Sequence, residues 1–210
     1  MRCVPNLIVS SPMNEHYLRH LMFTATYNAN QPFVIRYPRG EGSLLDWQCE
    51  MKSIEIGKGR RLKDGENLAV LSIGPIGVNV TSAIESLEAK GYSIAHYDMI
   101  FLKPIDEELL HDVVSRHSKI VTVEDGVLTG GLGSAVLEFL ADNKLTHIQV
   151  ERIGLPDHFV THGSIPALSK VCGTDAEGIY QSLFQFLEKD REVQTNASAC
   201  AVSFSNGRDR

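Results

Sequence analysis

Leu68-Ala69-Val70-Leu71-Ser72-Ile73-Gly74 decides the fold. This uncharged run, apolar except for Ser72, reads as a strand buried on both faces, the kind found in parallel sheets covered by helices. Downstream, Val80, Ala83, Ile84 and Leu87 recur at helical spacing and the pattern stops near Gly91. Ile94 through Met99 is a second strand. Asp106, just after Pro104, is suited to cap a helix, with Glu107 and Glu108 in the first turn where the helix dipole favours them. Leu109, Leu110, Val113 and Val114 form that helix's core face. Ile120-Val121-Thr122-Val123 is a third strand and runs into Glu124-Asp125 and then Gly130-Gly131-Leu132-Gly133. A helix through Ala135, Val136, Phe139 and Leu140 precedes a fourth strand, Ile148-Gln149-Val150. Ser164 and Asp175 are N-caps for two closing helices, the last using Ile179, Leu183 and Leu187. Strands alternating with helices at these lengths predict an α/β fold, with a mostly parallel sheet between helical layers.

Upstream of Asn67 the regularity breaks. Residues 43–66 read as a linker ending in an edge strand around Ile54–Leu62, with Trp47, Met51 and Ile54 as its anchors and a turn at Asp64-Gly65. Gly57-Lys58-Gly59-Arg60-Arg61 lacks the Gly-Lys-Ser/Thr ending of a phosphate loop and opens no apparent helix. Residues 1–42 hold one β-α-β unit. Leu7-Ile8-Val9 is a strand, Ser11 an N-cap with Pro12 at the first helical position, and Leu18, Leu21, Met22 and Ala25 an apolar face. Phe33-Val34-Ile35 is the second strand, read as buried and parallel. One such unit cannot cover both faces of its sheet, so residues 1–42 are expected to be the end of a larger module.

Phe33-Val34-Ile35 ends in Arg36-Tyr37-Pro38-Arg39-Gly40. The carboxyl end of a strand in an open α/β sheet is where ligands collect, and two guanidinium forks suit phosphate or carboxylate. Pro38 holds its own φ and biases Tyr37 towards an extended backbone. Two strand-end arginines at the surface, solvated or salt-bridged, are the plainer alternative.

The totals narrow the classes. The 210 residues suit one large domain or one domain plus a piece of another. A net charge of −6 without a dense basic stripe argues against nucleic acid as a partner. No apolar run approaches the ~20 residues needed to cross a bilayer, and the first residues do not form a signal peptide, so a cytoplasmic protein without membrane partners is expected. Cys3, Cys49, Cys172 and Cys200 are scattered with no Cys-x-x-Cys pair, which favours reduced thiols over a zinc site. The polar residues 190–210 read as a mobile tail or a crossover to a neighbouring chain.

Several motifs taken together carry a resemblance. Arg2 through Leu7, Ser11-Pro12-Met13-Asn14-Glu15, Arg36-Tyr37-Pro38-Arg39-Gly40, Ile56-Gly57-Lys58-Gly59, Asp98 through Pro104, Val123-Glu124-Asp125, Gly130-Gly131-Leu132-Gly133 and Ile153-Gly154-Leu155-Pro156-Asp157 with Phe159 and His162-Gly163 resemble the 1-deoxy-D-xylulose-5-phosphate synthases of the transketolase family. The resemblance implies a fold: the end of a pyrimidine-binding domain (1–42), a linker (43–66) and a three-layer α/β/α transketolase C-terminal domain (67–189). That domain carries a five-stranded sheet with one antiparallel strand, for which Ile54–Leu62 is the candidate. It implies condensation of pyruvate with glyceraldehyde 3-phosphate with loss of carbon dioxide, for isoprenoid and thiamine synthesis. It also implies thiamine diphosphate and magnesium as cofactors and a homodimer. Arg39 matches the family's grip on the substrate phosphate, with Arg36 and Tyr37 as supporting neighbours. The family's Gly-Asp-Gly…Asn magnesium motif and its cofactor-activating glutamate are not among these residues. The chain alone is therefore expected to bind no cofactor or metal, to hold no catalytic residue and to be inactive. The alternative readings are an assembly subunit of a split transketolase-like enzyme and the β subunit of a 2-oxo acid dehydrogenase, which Arg-Tyr-Pro-Arg-Gly argues against.

Two further clusters stay open at this point. His158 and His162 beside Asp157 are metal ligands, acid–base groups or, the better reading, structural loop histidines. Gly130-Gly131-Leu132-Gly133 either receives an anion at a helix start or serves tight packing, which is favoured.

Overall fold

The computed structural model describes residues 1–40, 42, 44 and 46–189. The expectations for residues 190–210, and the start of the connector at Glu41 and Ser43, lie outside the described residues. Two sheets form. The smaller contains β1 (Ile8–Ser10), β2 (Phe33–Ile35) and β6 (Phe101–Lys103) in the order β2-β1-β6. The larger contains β3 (Arg60–Lys63), β4 (Leu68–Ile73), β5 (Ile94–Asp98), β7 (Lys119–Val127) and β8 (Gln149–Leu155) in the order β3-β5-β4-β7-β8.

The run Leu68–Ile73 is the middle strand and is buried along its whole length. Its period of two sorts its side chains between two cores. Leu68 and Val70 face α2 (Gly77–Glu88) and the helix of residues 176–189 (α6), meeting Val80, Ile84, Leu87, Ile179 and Leu183. Ala69, Leu71 and Ile73 face α3 (Glu107–Arg116) and α4 (Leu132–Asp142), meeting Leu110, Val113, Val136 and Phe139. The fold is a three-layer α/β/α domain with a mostly parallel five-stranded sheet, and β3, antiparallel to β5, is the one exception. Asp106 caps α3 by accepting from the Leu109 amide at 3.0 Å, and Asp175 accepts from the Gly178 amide at 3.1 Å. Both follow from a short acceptor placed one residue ahead of a helix with orphan amides.

The turn between β3 and β4 is tight. A Cβ on Gly65 would lie 2.1 Å from the carbonyl carbon of Ile94 and 2.2 Å from the amide nitrogen of Ala95. Both are backbone atoms of a central strand and cannot step aside. Gly65→Ala is expected to destabilise the chain by about 2 kcal/mol through overpacking, read from urea midpoints.

The N-terminal part departs from the sequence expectations in several places. Asn14, not Ser11, caps α1 (Glu15–Tyr27), its side chain accepting from the Tyr17 amide at 3.1 Å. The Ser11 hydroxyl instead donates to the Arg36 carbonyl at 2.9 Å, and its amide donates to the Ile100 carbonyl at 2.8 Å, which continues the strand beyond β1. Met22 is exposed, and Thr24 takes the buried place on α1. Phe33–Ile35 is parallel to β1 as expected but only half-buried, because β2 is an edge strand. Of the connector's three anchors Ile54 packs on the small-sheet core, whereas Trp47 and Met51 are exposed. The edge strand expected around Ile54–Leu62 forms only from Arg60, as β3, and residues 54–59 lie outside any strand. Unforeseen was β6, which pairs antiparallel to β1 and gives it a second neighbour. It buries Phe101 against Ile8, Leu21 and Phe33. β7 and β8 also run further than read, through Glu124-Asp125 and through Gly154-Leu155.

A polar seam lies at the carboxyl ends of β4 and β5. The Ser72 hydroxyl and His96 Nε2 share a buried hydrogen bond of 2.8 Å. Asp98, fully buried, accepts from Arg60 Nε at 3.1 Å and Nη2 at 3.0 Å, and the Arg60 guanidinium stacks on Tyr17 of α1 at 3.7 Å. Burial, with the Arg60 charge in support, pushes the His96 imidazole down to about 4. The unfolded chain then takes up the proton first as pH falls, so His96 contributes stability above about 6.5 that is lost on acidification towards 4. The expected loss is on the order of 3 kcal/mol between those limits. His96→Gln should flatten that part of the stability–pH curve measured by denaturant titration; an unchanged slope would overturn the assignment.

Candidate functional site

The carboxyl ends of β1, β2, β4 and β7 converge on a cleft between the two sheets, the usual location for a ligand in open α/β folds. A cavity of about 280 Å³ there is lined by Ser10, Ser11, Arg36, Glu124, Asp125 and Gly131, among others. Arg36 enters it as the first residue after β2. Its amide donates to the Ser10 carbonyl at 2.8 Å, and its Nη2 donates to Asp125 Oδ2 at 2.7 Å. The ion pair is half-exposed on both sides.

Tyr37, Pro38 and Gly40 line a second cavity, of about 460 Å³, with Met13, Asn14, Pro75 and Val78. Arg39 is exposed and lines neither cavity. The three candidate residues are therefore close in the chain, within positions 36–39, but divided in space. Arg36 is committed to Asp125, Tyr37 is exposed at the second cavity, and Arg39 has no hydrogen-bond or ion-pair partner among the described residues.

Gly130-Gly131-Leu132-Gly133 resolves to packing around an internal anion. The Glu124 carboxylate reaches back to the start of α4, accepting from the Leu132 amide at 2.9 Å and the Gly133 amide at 3.0 Å. It satisfies two of the orphan donors and faces the positive end of the helix dipole. Burial raises the Glu124 carboxyl above the ordinary range, while the two amides pull it down. A Cβ on Gly131 would lie 1.8 Å from Glu124 Oε2, and one on Gly133 would lie 2.5 Å from the Arg152 side chain. The helix start thus holds the protein's own carboxylate. His158 lines a separate cavity of about 250 Å³ with Pro156, Val160 and Val171, whereas His162 is exposed and does not line it. Among the described residues no group of three or more His, Cys, Asp or Glu could hold a metal ion. Cys3, Cys49 and Cys172 are free thiols. No described helix is long and apolar enough to cross a membrane.

Sequence reading missed the partners rather than the arginines. Asp125 and Glu124 stand at the end of a buried strand just before a glycine-rich helix start, and that placement was the available signal.

Residues 57–179 match the model of the transketolase C-terminal domain. The chain belongs to that family. The transketolase C-terminal domain accounts for β3 through α5 (Ile165–Cys172) and the first part of the closing helix. Curated relatives extend the likeness beyond the domain. A 1-deoxy-D-xylulose-5-phosphate synthase of Phocaeicola vulgatus is 59% identical over 187 residues, covering 89% of this chain and 29% of that protein. The enzyme of the same name from Halothermothrix orenii is 36% identical over 193 residues, covering 92% of this chain and 30% of its own length. The chain therefore spans under a third of the curated relatives it matches. Among solved structures, a "Split gene transketolase, inactive beta4 tetramer" superposes with a TM-score of 0.77 at 29% identity, covering 89% of this chain and 60% of that one.

Proposed function

We propose that this chain is the C-terminal portion of a 1-deoxy-D-xylulose-5-phosphate synthase and serves there to present Arg39 to the phosphate of glyceraldehyde 3-phosphate. The observation that carries the reading is 59% identity over 187 residues to a synthase of that name. The complete enzyme joins pyruvate to glyceraldehyde 3-phosphate with loss of carbon dioxide, in the cytoplasm and as a homodimer. The geometry supports the division of labour between the arginines. With Arg36 held by Asp125, Arg39 is the exposed guanidinium at the strand end, where a planar fork can meet a phosphate.

Thiamine diphosphate with magnesium supplies the carbanion chemistry when bound in such enzymes. The donor set in this chain's cleft does not fit that group. Glu124 is committed to two backbone amides and Asp125 to Arg36, which leaves neither carboxylate free for a cation. The cofactor is accordingly held by residues supplied from elsewhere, and this chain's work is binding and orientation of substrate. A second reading, an assembly subunit that meets a separately encoded cofactor-binding chain, is favoured by the likeness to the split transketolase.

One experiment tests both parts. The chain is assayed alone and as a chimera in which it replaces the matching segment of the Phocaeicola vulgatus enzyme. The chimera is expected to condense the two substrates, and the chain alone to be inactive and to show no heat of binding with thiamine diphosphate and magnesium. Micromolar affinity in the chain alone would overturn the cofactor reading, and an inactive but folded chimera would overturn the synthase reading.

A further inference from the structure

We infer that Asp125 is a positioning residue for the Arg36–Gly40 segment, acting on Arg39 through Arg36. This rests on the phosphate reading of Arg39. Arg36 is held at three points. Its amide donates to Ser10, its carbonyl accepts from the Ser11 hydroxyl at 2.9 Å, and its guanidinium donates to Asp125 at 2.7 Å. The first two hold it within the small sheet. The third ties it to β7 of the large sheet.

Asp125 inherits its own position from its neighbour. Glu124 is pinned by both oxygens to the start of α4, so the backbone at Asp125 is held on one side by a buried two-point clasp. A second close contact brings the sheets together at the same spot. Gly74, which follows β4, has φ of +81°, and a Cβ there would lie 2.4 Å from Ser11 Oγ and 4.0 Å from Arg36 Nη1. The large sheet thus approaches Arg36 from two directions, beneath it through Gly74 and beside it through Asp125. From Arg36 only Tyr37 and Pro38 intervene before Arg39, and Pro38 restricts both its own φ and the backbone of Tyr37. Few soft backbone dihedrals lie between the clamp and the Cα that carries the Arg39 side chain.

A half-exposed ion pair contributes little to stability, because water solvates both partners when it opens. Its consequence here is geometric. Small displacements of a binding group cost a large factor in rate or affinity for the group it holds. Asp125 should therefore matter to one substrate and hardly at all to the fold.

The test uses the full chain and the complete enzyme. On the 210-residue chain, 15N relaxation of the Tyr37 and Arg39 amides is compared with Asp125→Ala, and faster local motion is expected at an unchanged melting temperature. In the chimera, Asp125→Ala is expected to raise KM for glyceraldehyde 3-phosphate about tenfold while KM for pyruvate moves less than about twofold. The exchanged pair, Arg36→Asp with Asp125→Arg, should recover most of the loss. Arg39→Ala runs as the control. If that control leaves KM for the triose phosphate unchanged, the phosphate reading fails. If the control raises it and Asp125→Ala does not, the positioning role fails alone. Equal effects on both substrates, a lowered melting temperature, or no recovery in the exchanged pair would likewise overturn it.

Discussion

Replacing Arg39 with alanine in the complete enzyme is expected to raise KM for glyceraldehyde 3-phosphate about 50-fold, on the order of 2 kcal/mol, while KM for pyruvate stays within about twofold. The size follows from what is removed. A guanidinium meeting a phosphate makes charge-assisted hydrogen bonds, roughly twice as strong as neutral ones, and this guanidinium is exposed without a carboxylate partner among the described residues. Its loss leaves no buried charge behind, so the fold should be untouched and the melting temperature should not move. Arg39→Lys keeps the charge but not the fork, and an intermediate KM is expected. Equal changes for both substrates would remove Arg39 from the phosphate and place it in a shared, structural role.

Glu124→Ala is expected to destabilise the chain by about 4 kcal/mol. The carboxylate accepts from two buried backbone amides at 2.9 and 3.0 Å, and truncation leaves both without an acceptor at the positive end of α4. The glycines around it were shaped for that carboxylate and cannot supply a replacement. Glu124→Gln should cost about half as much, since one amide keeps an acceptor while the other faces a donor. Urea titration reads both values. A Glu124→Ala midpoint within error of the parent would mean that water takes over the helix start.

The large sheet was legible because its residues state one pattern at every level. Leu68–Ile73 has no charge to spare for solvent, each helix shows an apolar face at the right period, and Asp106 and Asp175 stand where caps are needed. The small sheet was harder to read because its strands have three residues each and its second neighbour arrives from more than ninety positions later. Periodicity cannot register a pairing between Val9 and Lys103. Ser11 was misread for a related reason. Serine before proline is a common helix start, but here the hydroxyl serves the Arg36 carbonyl, a partner that only the tertiary fold brings near. In the site, the arginines were visible as residue types, and the phosphate role proposed for Arg39 came from family likeness. The pairing of Arg36 with Asp125 needed three-dimensional structure, because an ion pair across 89 positions leaves no local trace, whereas Glu124 stands only eight and nine positions before the amides it accepts from.

The strand β6 has a consequence for anyone who cuts this chain. A fragment beginning at residue 57, where the family match begins, would keep Phe101–Lys103 but lose β1, its pairing partner. Phe101, now wholly buried, would be bared beside a row of unsatisfied amides and carbonyls. Such a fragment would carry an adhesive edge and should precipitate or self-associate during purification. Retaining residues 1–40 keeps that edge covered, and so the small sheet doubles as a solubility shield for its larger neighbour.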